Sequence, residues 1–99
     1  MPNASTMARL QRWYQSCCNG SWEQELGINV ETLDNPGWSV TVDLEGTPLE
    51  KTRFPKRSEA RSETDWIECR VAAAQFQGFG GVNNLEELLT VFLDWAESA

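Results

Sequence analysis

Three cysteines, no histidine and a surplus of carboxylates bound the chemistry open to this 99-residue chain. Histidine is the commonest general base and the commonest zinc ligand, so its absence removes both. There is no Cys-x-x-Cys pair and no Walker loop, and Phe79-Gly80-Gly81 lacks the Lys-Ser/Thr that a phosphate loop needs. A nucleophilic thiol needs a base or cation beside it. Cys17 and Cys18 fall at the C-terminal end of a predicted helix, where the dipole disfavours a thiolate, and Cys69 falls on the inward side of a predicted strand. All three read as small buried hydrophobes. Asp34, Asp43, Asp65 and Glu68 could approach one another for acid–base work. With 15 acids in the chain, such a pair carries little weight. No catalytic residue, metal site or cofactor is expected.

What remains is surface chemistry. Tryptophans stand beside acids: Trp22 precedes Glu23 and Glu25, Asp34 precedes Trp38, and Asp65 precedes Trp66. An exposed ring anchored among carboxylates is how a protein grips a basic partner. The residues singled out for contact are Trp22, Glu23, Asp34, Asp43, Asp65, Trp66 and Glu68. Trp38 alternates with Val40 and Val42 and reads as core. Net charge is −7, yet residues 51–61 carry Lys51, Arg53, Lys56, Arg57 and Arg61 against one acid, Glu59, so the rest of the chain stands at −11. An acidic body repels nucleic acid and attracts a basic protein. Three alternatives stay open beside the acidic binder: a small cysteine-dependent enzyme, a sulfur carrier, and a homodimerising accessory protein joined by an open sheet face or an edge strand.

The elements that must position these residues follow from periodicity. Residues 5–18 read as a helix, with Met7, Leu10, Tyr14 and Cys17 on its apolar stripe and Trp13 widening it, Asn3 or Ser5 as cap, and Gly20 to end it. Ile28–Leu33 and Trp38–Leu44 alternate as strands. Between them Asn35-Pro36-Gly37-Trp38 predicts a type II turn with Gly37 at positive φ, and Asp34 fixing the turn by an Asx-type bond. Leu49–Phe54 reads as a basic edge strand, 55–64 as a mobile loop, Asp65–Val71 and Gln75–Phe79 as strands joined through Ala72-Ala73-Ala74. Asn84-Leu85-Glu86-Glu87 predicts a capping box opening a last helix that runs to about the C-terminus. The expected fold is α+β: one domain over 1–99, two-layered, with an antiparallel sheet of four or five strands and both helices on one face. Ser39, Thr41, Asp43, Glu68 and Arg70 then lie on the other, open face.

No run of about 18 apolar residues is present, so no transmembrane helix and no membrane partner is expected. The first residues, MPNASTMARL, lack the apolar segment of a secretory signal. With an odd number of cysteines, a reduced, cytoplasmic protein is the expectation.

Several runs together resemble a known family. Trp13-Tyr14 and Cys18-Asn19-Gly20, Trp22-Glu23, Gly27-Ile28 and Thr32-Leu33-Asp34-Asn35-Pro36-Gly37-Trp38 are followed by Asp43-Leu44, Gly46-Thr47, Asp65-Trp66-Ile67 with Cys69, and Asn84-Leu85-Glu86-Glu87 leading to Phe92 and Trp95. In these the chain resembles the immunity protein 53 family of bacterial polymorphic toxin systems, over nearly its whole length. The resemblance implies a cytoplasmic antitoxin that binds and neutralises a cognate toxin, protecting the producing cell. It carries over no contact residue. An acidic inhibitor suits a toxin that is itself a nuclease, with Glu23, Asp34 and Asp65 as the expected acidic patch.

Overall fold

The computed structural model describes residues 5–99. Helix α1 (Thr6–Cys17) and one helical turn, α2 (Trp22–Glu25), precede strands β1 (Ile28–Leu33), β2 (Gly37–Asp43), β3 (Arg57–Ala60), β4 (Trp66–Ala72) and β5 (Gln75–Gly80), and helix α3 (Leu85–Ser98) closes the fold. The sheet is antiparallel throughout, in the order β1-β2-β5-β4-β3. This is the expected α+β arrangement, with five strands.

Helix α3 lies on the central strands. Its Leu88, Leu89, Phe92 and Leu93 are buried against Val40, Val42, Ile67, Cys69 and Phe76, the inward residues of β2, β4 and β5. Gly78 and Gly80 make that approach close. A Cβ at Gly78 would press on the Phe76 ring and Leu88, and one at Gly80 on the Asn84 side chain and the Trp66 carbonyl. Helix α1 packs beside α3 and has no fully buried residue. Its contact face is Thr6, Arg9, Leu10 and Trp13, with Met7 and Tyr14 turned outward, contrary to the expected stripe. The helices are clamped by the Arg9 guanidinium, whose Nε and Nη2 donate to Glu97 and whose Nη2 also donates to Asp94. Such forked charge-assisted contacts are stronger than single neutral ones. Ser5 caps α1, accepting the Ala8 amide at 3.1 Å. Asn3, the other expected cap, lies outside the described residues.

Five expectations need correction. Residues 49–54 form no strand. Consecutive turns, closed by the Thr47 hydroxyl and by Glu50 N–H to Thr47 O and Thr52 N–H to Leu49 O, carry the chain from β2 across the helix-covered side. Leu49 and Phe54 are thereby spent on the core, Phe54 stacking edge-on against Phe76 and Trp95. The edge strand is instead β3, inside the segment expected to be a mobile loop.

The hairpin turn is not type II. Leu33 pairs with Gly37, leaving the three residues 34–36 as the loop. Gly37 has no positive φ, and a Cβ there would overlap the Gly80 carbonyl oxygen of β5. The glycine serves close strand approach. Gly37→Ala should therefore cost about 1–3 kcal/mol, the usual penalty of overpacking, read as a lower urea midpoint.

Asp34 is exposed and makes no side-chain hydrogen bond among the described residues, so no Asx bond fixes the turn. Lastly, Asn84 precedes α3 without capping it. Its amide donates to Asp65 at 2.9 Å and Glu87 at 3.0 Å, and its oxygen takes the Trp66 amide at 3.4 Å.

Candidate functional site

Side-chain alternation sends Ser39, Thr41 and Asp43 of β2, Gln75, Gln77 and Phe79 of β5, and Trp66, Glu68 and Arg70 of β4 to the side of the sheet away from α3. No helix packs on that side among the described residues. Register aligns the residues in rows. One row runs Glu31–Ser39–Phe79–Glu68–Ser58 across all five strands, and the next runs Asn29–Thr41–Gln77–Arg70. At the centre the Arg70 guanidinium sits over the Phe79 ring, 5.5 Å from its centroid, held by Gln77 at 2.9 Å, with Glu68 at 3.9 Å. The row thus carries the Phe79 ring under the Arg70 guanidinium, with Glu31 on one flank and Glu68 beside it. Such a surface can bind a protein.

The seven residues singled out in the sequence divide. Asp43, Trp66 and Glu68 share the open face. Asp43 is bound internally, accepting the Gly27 amide and the Gln75 side chain, both at 2.9 Å. Asp34 and Asp65 lie at the β1–β2 turn end of the sheet, as rim to Trp66. Trp22 and Glu23 lie at the opposite end, before β1, roughly 20 Å of strand away from Asp34. Trp22 is 6% exposed, its indole N–H bonded to Glu45 O and its ring against Trp13, so it anchors the helix–sheet corner and offers no surface. Glu23 binds the Asn19 and Gly20 amides. Backbone amides, its own first, hold its carboxyl below the usual range. Trp38 is half-buried on the core side, donating to Val82 O at 2.8 Å. Sequence reasoning passed over Glu31 and Phe79. Their outward placement rests on the β2–β5 pairing, and alternation within each strand was the signal for it.

Basic segment 51–61 is partly neutralised. Arg61 binds Glu59, Asp65 and Glu87 at 2.6–2.9 Å, and Arg57 binds Glu59. Arg61 first, then Asn84, holds the Asp65 and Glu87 carboxyls below their ordinary values. Groups lowered in this way stabilise the fold above the unfolded carboxylate pKa, and that contribution is lost as pH falls through their lowered folded values. Arg61→Gln should lower the melting temperature modestly at pH 7 and hardly at all below about pH 4, so the fall with acid becomes flatter.

Neither Cys69 nor Cys17 is activated. Burial pushes Cys69 up to about 11, outweighing nearby Arg57, and burial also raises Cys17. Cys18 donates to Tyr14 O. These environments give the cysteine-enzyme and sulfur-carrier alternatives no support. No group of three or more His, Cys, Asp or Glu side chains suited to a metal comes together among the described residues. No helix there is long and apolar enough to cross a membrane.

Comparison with known proteins gives one match. The family model described as immunity protein 53 covers residues 7–97. No curated protein and no solved structure matches the chain. A match over nearly the full length fixes the affiliation: the chain belongs to the immunity protein 53 family.

Proposed function

We propose that the protein neutralises a cognate toxin by binding its toxic domain with the open face of the sheet, and that the toxin presents a basic surface there. Family membership supports the toxin partner. The carrying observation is the row Glu31–Ser39–Phe79–Glu68 on the face away from α3, with carboxylates on either side of a Phe79 ring that the Arg70 guanidinium overlies. Trp66, Asp65 and Asp34 extend it towards the turn end, and the body of the chain is strongly acidic. Aromatic anchors with charged flanks suit a protein interface, and the acids speed encounter with a basic partner. A nuclease fits that partner, because an enzyme that grips a polyanion gathers Lys and Arg at its cleft. The inhibitor would occupy that cleft and exclude the nucleic acid. The test is co-expression with the toxic domain of a toxin sought among the genes that neighbour this one. Survival of cells that otherwise die supports the reading; death at the same rate with and without the chain overturns it.

A further inference from the structure

The two edges of the sheet are built differently. Edge β3 has four residues, follows Pro55, and is covered with the paired charges of Arg57, Glu59 and Arg61. These are the devices that block strand addition. Edge β1 has six residues with no proline and no lysine or arginine. Its hydrogen-bonding phase follows from the Asp43 amide, which donates to Gly27 O at 3.0 Å. In the alternating antiparallel pattern Asn29, Glu31 and Leu33 then bond to β2, and Ile28, Val30 and Thr32 turn their amides and carbonyls outward. Val30 is 43% exposed on the helix side. Beside it runs a groove of about 390 Å³ lined by Leu10, Gln11, Tyr14, Gly27 and Ile28. On the other side of the same strand stands Glu31.

We propose that β1 is a strand-addition site, and that its occupant is an extended segment of the toxin with apolar side chains on one face and a Lys or Arg on the other. Backbone bonds to Ile28, Val30 and Thr32 set the register. Apolar side chains enter the Leu10–Tyr14 groove, and the basic one meets Glu31. Charge chooses the toxin over a second copy: two copies bring −7 against −7, whereas a basic segment is drawn to Glu31. This rests on the immunity reading and adds the backbone contact that the open face lacks.

Val30→Pro removes one outward amide and leaves every bond to β2 intact, a substitution edge strands tolerate. Val30→Lys keeps the amide and places a charge at the groove, and Met7→Lys, at an exposed position of α1 outside both the groove and the open face, is the control. Affinity is measured by calorimetry for the cognate toxic domain, with circular dichroism melts of each variant. A tenfold or greater loss for both Val30 variants, with Met7→Lys within twofold of wild type, is the expected result. If Val30→Pro melts early, Val30→Lys carries the comparison. Wild-type affinity in the folded Val30 variants overturns the proposal and leaves the immunity reading standing. A wild-type chain that does not bind the domain sinks both. A wild-type dimer in light scattering that Val30→Lys makes monomeric assigns the edge to a second copy and overturns the toxin strand.

Discussion

Phe92→Ala should remove about 3–5 kcal/mol of folding stability, the largest loss expected from any single truncation of this core. Phe92 is fully buried, and its ring joins the parts of the fold. Trp13 of α1 meets it edge-on at 4.9 Å, Phe76 of β5 lies at 5.2 Å, and Trp95 of the same helix at 6.2 Å. Truncation leaves a cavity that α1, α3 and β5 would have to move together to fill. Aromatic pairs add roughly 0.5–1.5 kcal/mol each beyond area burial, so the upper end of the range applies. A domain of this size holds about 5–15 kcal/mol in all, and each kilocalorie lost lowers the melting temperature by about 4–8 °C. A fall of roughly 15 °C or more is expected. Met7→Ala, at a side chain 52% exposed on α1, should stay within about 0.5 kcal/mol. Urea unfolding of both variants checks this, and a Phe92→Ala loss below 1 kcal/mol would contradict the packing described.

Glu31→Lys combined with Glu68→Lys should slow association with the toxic domain by about tenfold to a hundredfold at low salt. The two residues flank Phe79 in one row of the open face. Reversing both moves the net charge from −7 to −3, with the change concentrated on the proposed contact face. Encounter between oppositely charged surfaces is a long-range effect, so it acts on the on-rate first. It is screened at high salt, where wild-type and variant rates should converge. Both side chains reach into solvent from strands, so stability should shift little. Stopped-flow mixing at two ionic strengths separates this from unfolding. Equal rates at low salt would place the contact elsewhere.

Much of the fold was legible because its signals are local. Val40 and Val42 alternate with Ser39 and Thr41, and Leu88, Leu89, Phe92 and Leu93 recur at helical spacing. What was misread depends on distant partners. Gly37 follows proline and so suggests a turn, but the Gly80 carbonyl that excludes a side chain there lies some 40 residues on. Strand β3, sequence RSEA, has no apolar rhythm because it lies at the edge of the sheet and three of its four residues are exposed. Leu49 and Phe54 suggested a strand, while turns deliver both to the core. Ala73 and Ala74 form a two-residue turn with both φ positive, a conformation usually signalled by Asn-Gly. Asn84 and Glu87 have capping-box spacing, yet Asp65 and Arg61 compete for them successfully. The open face was half legible for the same reason. Trp22 and Trp66 both stand beside acids, and only the tertiary fold makes one an anchor of the core and the other part of an open face.

A chain that silences a basic toxin through its open sheet face is tested most directly by the catalytic activity of the cognate toxic domain, titrated with wild-type chain and with the Glu31→Lys, Glu68→Lys variant. Activity should vanish at one equivalent of wild type and persist at one equivalent of the folded variant. Equal inhibition by both, or none by either, would contradict it.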